Sequence, residues 1–269
     1  MIDRLKTNWP KISGIISDLD GVTYRGDEPI ESAVRAFQRW NNIGLPYAFV
    51  TNNSTKSAEE FSDKLNAMGI PADPARIITT SAVAADRLSD LLETRSRVMV
   101  IGEPALVRAV ADRNFEVVDE DVGAVIAGLD RSFTYAKLAR AQTALLGGAH
   151  FIGTNPDTML PTAGGFEPGA GAILNAIEIA SGVTPIIIGK PEPDLVTTAL
   201  SKLGTDRQST FMLGDQIMTD IAAGHAAGIP TIRVRTGIIE TGPLSISPDF
   251  DIESLEGIPA NAFSTAKEP

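Results

Sequence analysis

A short apolar run over 12–17 leads directly into Asp18-Leu19-Asp20-Gly21, and no other feature restricts the fold of this chain as much. A strand that stops at two carboxylates and a glycine needs a sheet whose end can hold charge. Further apolar runs at 47–50, 184–188, 210–213 and 231–234 alternate with helical patterns over 31–42, 57–69, 194–203 and 218–227. That alternation predicts an α/β fold on a parallel, Rossmann-like sheet. In the first helix Val34, Phe37 and Trp40 share an apolar face. In the second, Ser57 and Glu60 form a capping box, Phe61, Leu65 and Met68 share a face, and Gly69 is the stop. The tail over 242–269, with prolines and few periodic residues, is expected to be irregular.

Between the second and third groups of elements lie about 100 residues, enough for a domain of their own. They carry their own alternation, with strands expected at 98–101 and 124–127 and helices at 104–113 and 135–146. Because both flanks end in polar residues of similar kind, this stretch reads as an insertion. The expected division is a discontinuous core, 1–80 and 186–269, with an α/β domain over 81–185.

Composition narrows the chemistry. A formal charge of −11 disfavours a broad polyanion-binding face, so nucleic acid is not the expected partner. No run approaches the ~18 apolar residues of a membrane span, and the first ten residues lack the apolar core of a secretion signal. The absence of cysteine excludes disulfides, thiolate metal sites and a cysteine nucleophile. His150 and His225 are too few for a histidine-rich metal site. Carboxylates, hydroxyls and lysine are left to do the chemistry.

Four of the expected strands finish in such residues: Asp18 and Asp20, then Thr51, Lys190 and Asp215. In open parallel sheets ligands bind beyond the carboxyl ends of the strands, so these residues, distant in sequence, are candidates for one site. If the first strand persists through Asp18-Leu19-Asp20, its period of two points both carboxylates to one side. Two adjacent carboxylates repel, so either a cation holds them ionised or one stays protonated. A divalent ion with oxygen ligands fits the first option, Mg²⁺ above all, with Asp215 as a further donor. Each signal alone has a plain explanation: a polar turn, a helix start at Thr51-Asn52, a solvated lysine, or acids at a helix N-terminus. The ordered set does not.

That order resembles the haloacid dehalogenase superfamily of phosphohydrolases, whose four motifs match Asp18-Leu19-Asp20-Gly21-Val22, Thr51-Asn52-Asn53, Gly189-Lys190-Pro191-Glu192-Pro193 and Gly214-Asp215-Gln216-Ile217-Met218-Thr219-Asp220. The insertion is similar to the large α/β cap of the class IIA branch, which contains sugar, 4-nitrophenyl, phosphoglycolate and pyridoxal phosphatases. Its cap signatures match Gly128-Leu129-Asp130, Thr154-Asn155-Pro156-Asp157 and Pro168-Gly169-Ala170-Gly171.

The resemblance implies a cytoplasmic, Mg²⁺-dependent phosphatase acting on a small phosphorylated metabolite through an aspartyl-phosphate. It implies Asp18 as nucleophile, Asp20 as general acid and base, and Lys190 as the cation that offsets their charge and contacts the phosphoryl group. The metal would be held by Asp18, Asp215 and the backbone carbonyl of Asp20, with Asp220 orienting that shell. Thr51 and Asn52 would donate to phosphoryl oxygens or to the nucleophile loop, and Asp130 and Asn155 in the cap would face the leaving group, although Asn155-Pro156-Asp157 also reads as a turn. Tyr24 and Arg25 either line the entrance or lie on the surface. Related proteins pair through the cap, which implies a homodimer. Competing readings are a phosphotransferase, a phosphoacceptor signalling module and a phospholigand-binding protein without catalysis; a lid of this size speaks against the signalling module.

Overall fold

The computed structural model describes residues 9–162, 165–237 and 246–263. The chain divides into two compact units: Met1–Thr51, Glu59–Ile78 and Lys190–Pro269 form the first, Asn52–Ala58 and Thr79–Gly189 the second. The segment expected at 81–185 thus runs over Thr79–Gly189 here and is joined by Asn52–Ala58.

The first unit is built on a six-stranded sheet. Its spatial order is Phe250–Ile252, Thr231–Val234, Thr210–Gly214, Gly14–Ser17, Tyr47–Thr51 and Ile77–Thr79. Gly14–Ser17 runs parallel to both neighbours, with Ile16 opposite Met212 on one side and Ala48 on the other. Both faces of these central strands are buried, which is why they read as continuous apolar runs and not as alternations. From the first strand the chain moves outward on one side, then returns to fill the other. The strand order therefore reverses between Gly14–Ser17 and Thr210–Gly214, and this is the sheet's topological switch point.

The helix Glu31–Asn42 forms where expected, with Glu31 in its first turn, Arg39 in its last and Phe37 and Trp40 buried. Phe37 packs against Trp40, Tyr47 and Phe49 with ring centroids 4.8, 5.3 and 4.9 Å away. Asp194–Leu203 also matches its expected bounds and ends on Gly204. The helix expected over 218–227 is different: a π-type turn, Ile217–Ile221, precedes a short α-helix, Ala222–Ala226. The tail departs from its expectation as well. Phe250–Ile252 pairs with Thr231–Val234 as an edge strand, and Ile12 bridges Phe263; residues 242–245 and 264–269 lie outside the described part.

The second unit has a five-stranded sheet of spatial order Ile186–Ile187, His150–Gly153, Ala124–Ala127, Arg97–Ile101 and Glu116–Val117, all neighbours parallel. Met99, Ile101, Val125, Ala127 and Phe151 pack there against Ala141 and Leu145 of the helix Tyr135–Leu146 and Ile173, Leu174 and Ile177 of the helix Ala170–Ser181. A hairpin, Met159–Thr162 with Gly165–Pro168, was not expected from sequence.

One strand assignment is corrected. The run over 184–188 was expected to be a strand of the same sheet as Asp18, Thr51 and Asp215. Ile186–Ile187 instead pairs with Ile152 and Gly153 in the second unit, so Lys190 does not finish a strand of the first sheet. A short apolar run does not disclose which sheet supplies the neighbour. Among the described residues no helix is long and apolar enough to cross a membrane.

Candidate active site

Asp18 follows the strand Gly14–Ser17 and Asp215 follows Thr210–Gly214, so the two carboxylates flank the switch point of the first sheet. Strand geometry ends at Ser17, and the Asp18 amide still donates to Leu213 O at 2.9 Å. The strand does not persist through Asp20, and the two carboxylates part: Asp18 is 7% exposed, whereas Asp20 is exposed. Beyond them the chain turns sharply. Thr23 donates to Leu19 O through both its amide (2.8 Å) and its hydroxyl (2.7 Å), and Gly21 adopts a φ of +79°. A side chain at Gly21 would be strained by that φ and would carry its Cβ to 2.5 Å from Asp215 Oδ2. A Cβ at Gly237 would come closer still to the same oxygen, so two glycines from distant segments make room for one carboxylate.

Lys190 is buried between two acids. Its Nζ donates to Asp18 Oδ1 and, at 2.6 Å, to Asp220 Oδ1. Asp220 Oδ2 accepts from the Gln216 amide at 3.0 Å, across the π-type turn that carries it. Carboxylate oxygens of Asp18, Asp215 and Asp220 all lie within 4.8 Å of one another. Burial pushes the Asp18 pKa well above the usual carboxylate range; Lys190 opposes this, and Asp220 and Asp215 add to it. Burial works to lower the Lys190 pKa, but Asp18 and Asp220 outweigh it and raise it, so the lysine is a fixed cation. Three buried carboxylates against one buried ammonium leave the cluster negative. A hard divalent cation with oxygen ligands fits that donor set.

Asp20 meets a different environment. Surrounding protein raises its pKa, against the pull of Lys64. Thr51 closes the strand Tyr47–Thr51 and is buried. The first unit thus contains Asp18, Asp20, Thr51, Lys190, Asp215 and Asp220.

The other expected site residues, Asn52, Asp130 and Asn155, belong to the second unit. Asn52 Nδ2 and Asn155 Nδ2 both donate to Asp157 Oδ2, at 3.0 and 2.7 Å, and Thr154 Oγ1 donates to Asn155 Oδ1 at 2.8 Å. Asp130 accepts from the Ser132 amide and hydroxyl on one oxygen and from Lys137 Nζ at 2.6 Å on the other.

Three residues around the site were not singled out from sequence. Arg233 Nε donates to Asp215 O at 3.2 Å, Thr236 Oγ1 donates to Gly21 O at 2.6 Å, and Gly237 borders Asp215. Their signal is position: they lie on and just after the strand Thr231–Val234, the neighbour of the one that delivers Asp215. Tyr24 corrects the surface alternative, being 1% exposed, while Arg25 is exposed.

Comparison with known proteins agrees with this geometry. Residues 15–116 match the haloacid dehalogenase-like hydrolase family, and 187–258 match a second family of the same hydrolase type. The chain is 40% identical over 250 residues to the 5'-nucleotidase YutF of Bacillus subtilis, covering 91% of this chain and 97% of the relative. It is 38% identical over 247 residues to an acid sugar phosphatase of Staphylococcus epidermidis, covering 91% and 92%. A crystal structure of a thermostable NPPase double mutant from Geobacillus stearothermophilus superposes with a TM-score of 0.88 at 40% identity, covering 93% of this chain and 99% of that one. The chain belongs to the haloacid dehalogenase-like hydrolases, in their class IIA branch, and by that kinship is a phosphoric monoester hydrolase.

Proposed function

We propose that the protein is a Mg²⁺-dependent phosphatase that hydrolyses a small-metabolite phosphate monoester through an aspartyl-phosphate on Asp18. The observation that carries this reading is the buried group of Asp18, Lys190, Asp215 and Asp220 at the switch point, negative overall and made of oxygen donors. Asp18 and Asp215 through their carboxylates and Asp20 through its backbone carbonyl would hold the ion. Asp220, with its oxygens on Lys190 and the Gln216 amide, orients the lysine and the loop instead. When bound, the ion supplies positive charge to phosphoryl oxygens as they gain it.

The chain's own residues then divide the work. An oxygen of Asp18 attacks phosphorus, the new P–O bond forming as the bond to the leaving oxygen breaks. Asp20, whose raised pKa favours holding a proton, delivers that proton to the leaving oxygen. In the second half-reaction Asp20 takes a proton from water, the water oxygen bonds to phosphorus and the Asp18–phosphorus bond breaks. Lys190 holds Asp18 in place and presents its charge to the phosphoryl group; the Thr51 hydroxyl donates to it.

A cytoplasmic metabolite is the substrate class that suits this reading, and nucleotides and sugar phosphates lead the panel because relatives are named for them. Pairing of two copies through the second unit is supported by the apolar side chains it exposes, Tyr135, Leu146 and Ile179. Phosphate release from a panel of monoesters with Mg²⁺, joined to acid-quench trapping of labelled phosphoprotein, tests the proposal. Label should appear on the wild-type protein and be absent from Asp18→Asn; release without any trappable label on a rapid-quench time scale would remove the covalent step.

A further inference from the structure

Two of the loops that carry the acidic residues are tied to one short segment, 233–237, which lies on and just after the strand Thr231–Val234. Arg233 stands opposite Gly214 in the sheet, and its Nε donates to the Asp215 carbonyl at 3.2 Å. Three residues on, Thr236 Oγ1 donates to the Gly21 carbonyl at 2.6 Å, and the Thr236 carbonyl accepts from Arg25 Nε at 2.6 Å. Gly237 borders the Asp215 carboxylate, with which a Cβ there would collide. The segment thus meets the Asp215 loop at backbone and carboxylate, and meets the turn beyond Asp20 twice. Between these contacts it is anchored to the edge strand Phe250–Ile252. The Arg235 amide donates to Ile252 O at 3.0 Å, and the Arg235 guanidinium donates to Asp251 (3.0 and 2.9 Å) and Glu253 (3.0 Å).

The bonds from Arg233 and Thr236 fall on backbone oxygens. A carbonyl held in place fixes its whole peptide plane, and with it the direction of the groups on either side. Gly21, at a φ of +79°, has the widest backbone freedom in its turn. Its amide is held by Tyr24 O, and the Thr236 hydroxyl fixes its other end. We infer that Arg233 and Thr236 form a clamp that sets the spacing between the Asp18–Asp20 loop and the Asp215 loop, and so positions the oxygens of both for a divalent cation. Both are positioning residues, acting through the backbone of Asp215 and Gly21. The inference rests on the reading of Asp18, Asp20 and Asp215 as the residues that hold Mg²⁺. Arg233 cannot assist by its charge, because a guanidinium repels a dication, so its contribution to metal binding comes through geometry.

Mg²⁺ affinity of the whole chain, read by titration calorimetry and by the rise of melting temperature with added Mg²⁺, tests the clamp without reference to turnover. Thr236→Val keeps the shape of the side chain and removes the hydroxyl. It should weaken Mg²⁺ binding on the order of 10-fold, and Thr236→Ser should restore the wild-type affinity. Arg233→Met should weaken binding as well, whereas loss of its charge alone would tighten it. Arg235→Met, two residues along and bonded to the edge strand, should lower the melting temperature of the metal-free protein and leave Mg²⁺ affinity unchanged. If either Thr236→Val or Arg233→Met binds Mg²⁺ as tightly as the wild type, the clamp is overturned and the metal reading stands. Equal weakening by Arg235→Met would also overturn it, since the effect would then be a general loss of stability. If the wild type itself takes up no Mg²⁺, the metal reading fails and the inference goes with it.

Discussion

The two sheets make a natural comparison, because each reverses its strand order and each carries a buried aspartate just past the reversal. In the first unit this is Asp18, after Gly14–Ser17; in the second it is Asp130, after Ala124–Ala127. Asp130 is fully answered by its own loop: Ser132 and Lys137 saturate both oxygens, and although burial works to raise its pKa, these hydrogen bonds bring it below the ordinary 3.8. Asp18 is not answered. Its single lysine is shared with Asp220, a third carboxylate stands nearby, and its pKa is driven up. A buried aspartate beside the reversal carries a balanced charge in one unit and an unbalanced one in the other. Imbalance at a buried carboxylate marks where an outside cation and an anionic ligand are needed to complete the charge.

The largest effect should come from Asp18→Asn. Removing the nucleophile should lower steady-state turnover by at least about 10³-fold while circular dichroism and thermal melting show an intact fold; retained turnover would make the two aspartates equivalent and end the contrast. Chelation comes next. Turnover should fall to the blank with EDTA and return with Mg²⁺, and added Mg²⁺ should raise the melting temperature of the wild type but not of Asp215→Asn.

Stability then sharpens the comparison. Lys190→Met leaves Asp18 and Asp220 buried without their common cation and should destabilise the protein by about 3–5 kcal/mol in a urea titration. Lys137→Met, whose lysine is partly exposed, should cost less. The smallest effect should be Asp130→Asn, roughly 1–2 kcal/mol at neutral pH. A folded-state pKa below the ordinary value means that this contribution is fully present above pH 3.8 and lost as pH falls through the lower, folded value. The gap between wild type and variant should therefore close on acidification; a gap that widened would reverse the sign of the argument.

Much of this was legible in the sequence where local signals were strong. The helices over 31–42, 135–146 and 194–203 match because their apolar spacing and termini agree, and the central strands match because burial on both faces leaves an unbroken apolar run. The motif residues Asp18, Lys190, Asp215 and Asp220 indeed converge, but Lys190 arrives by a route that the sequence did not disclose, since strand partnership is a long-range choice. Phe250–Ile252 was hidden among prolines and too short to show a period. Asn52, adjacent to Thr51 in sequence, has its amide on Asp157, more than a hundred residues away, a pairing that no local pattern encodes.

The register of the first sheet also has a temporal side. Ser13 and Ser209, whose hydroxyls lie 2.6 Å apart, are separated by 196 residues, and Asp18 needs Leu213 for its amide partner. A ribosome releases the second unit complete before the three strands on one side of Gly14–Ser17 have been made. During synthesis Asp18 and Asp20 are therefore ordinary solvated acids on an unfinished sheet edge. The acidic cluster comes into being only once Thr210–Gly214 and the turn that carries Asp220 have emerged, after the whole of the second unit.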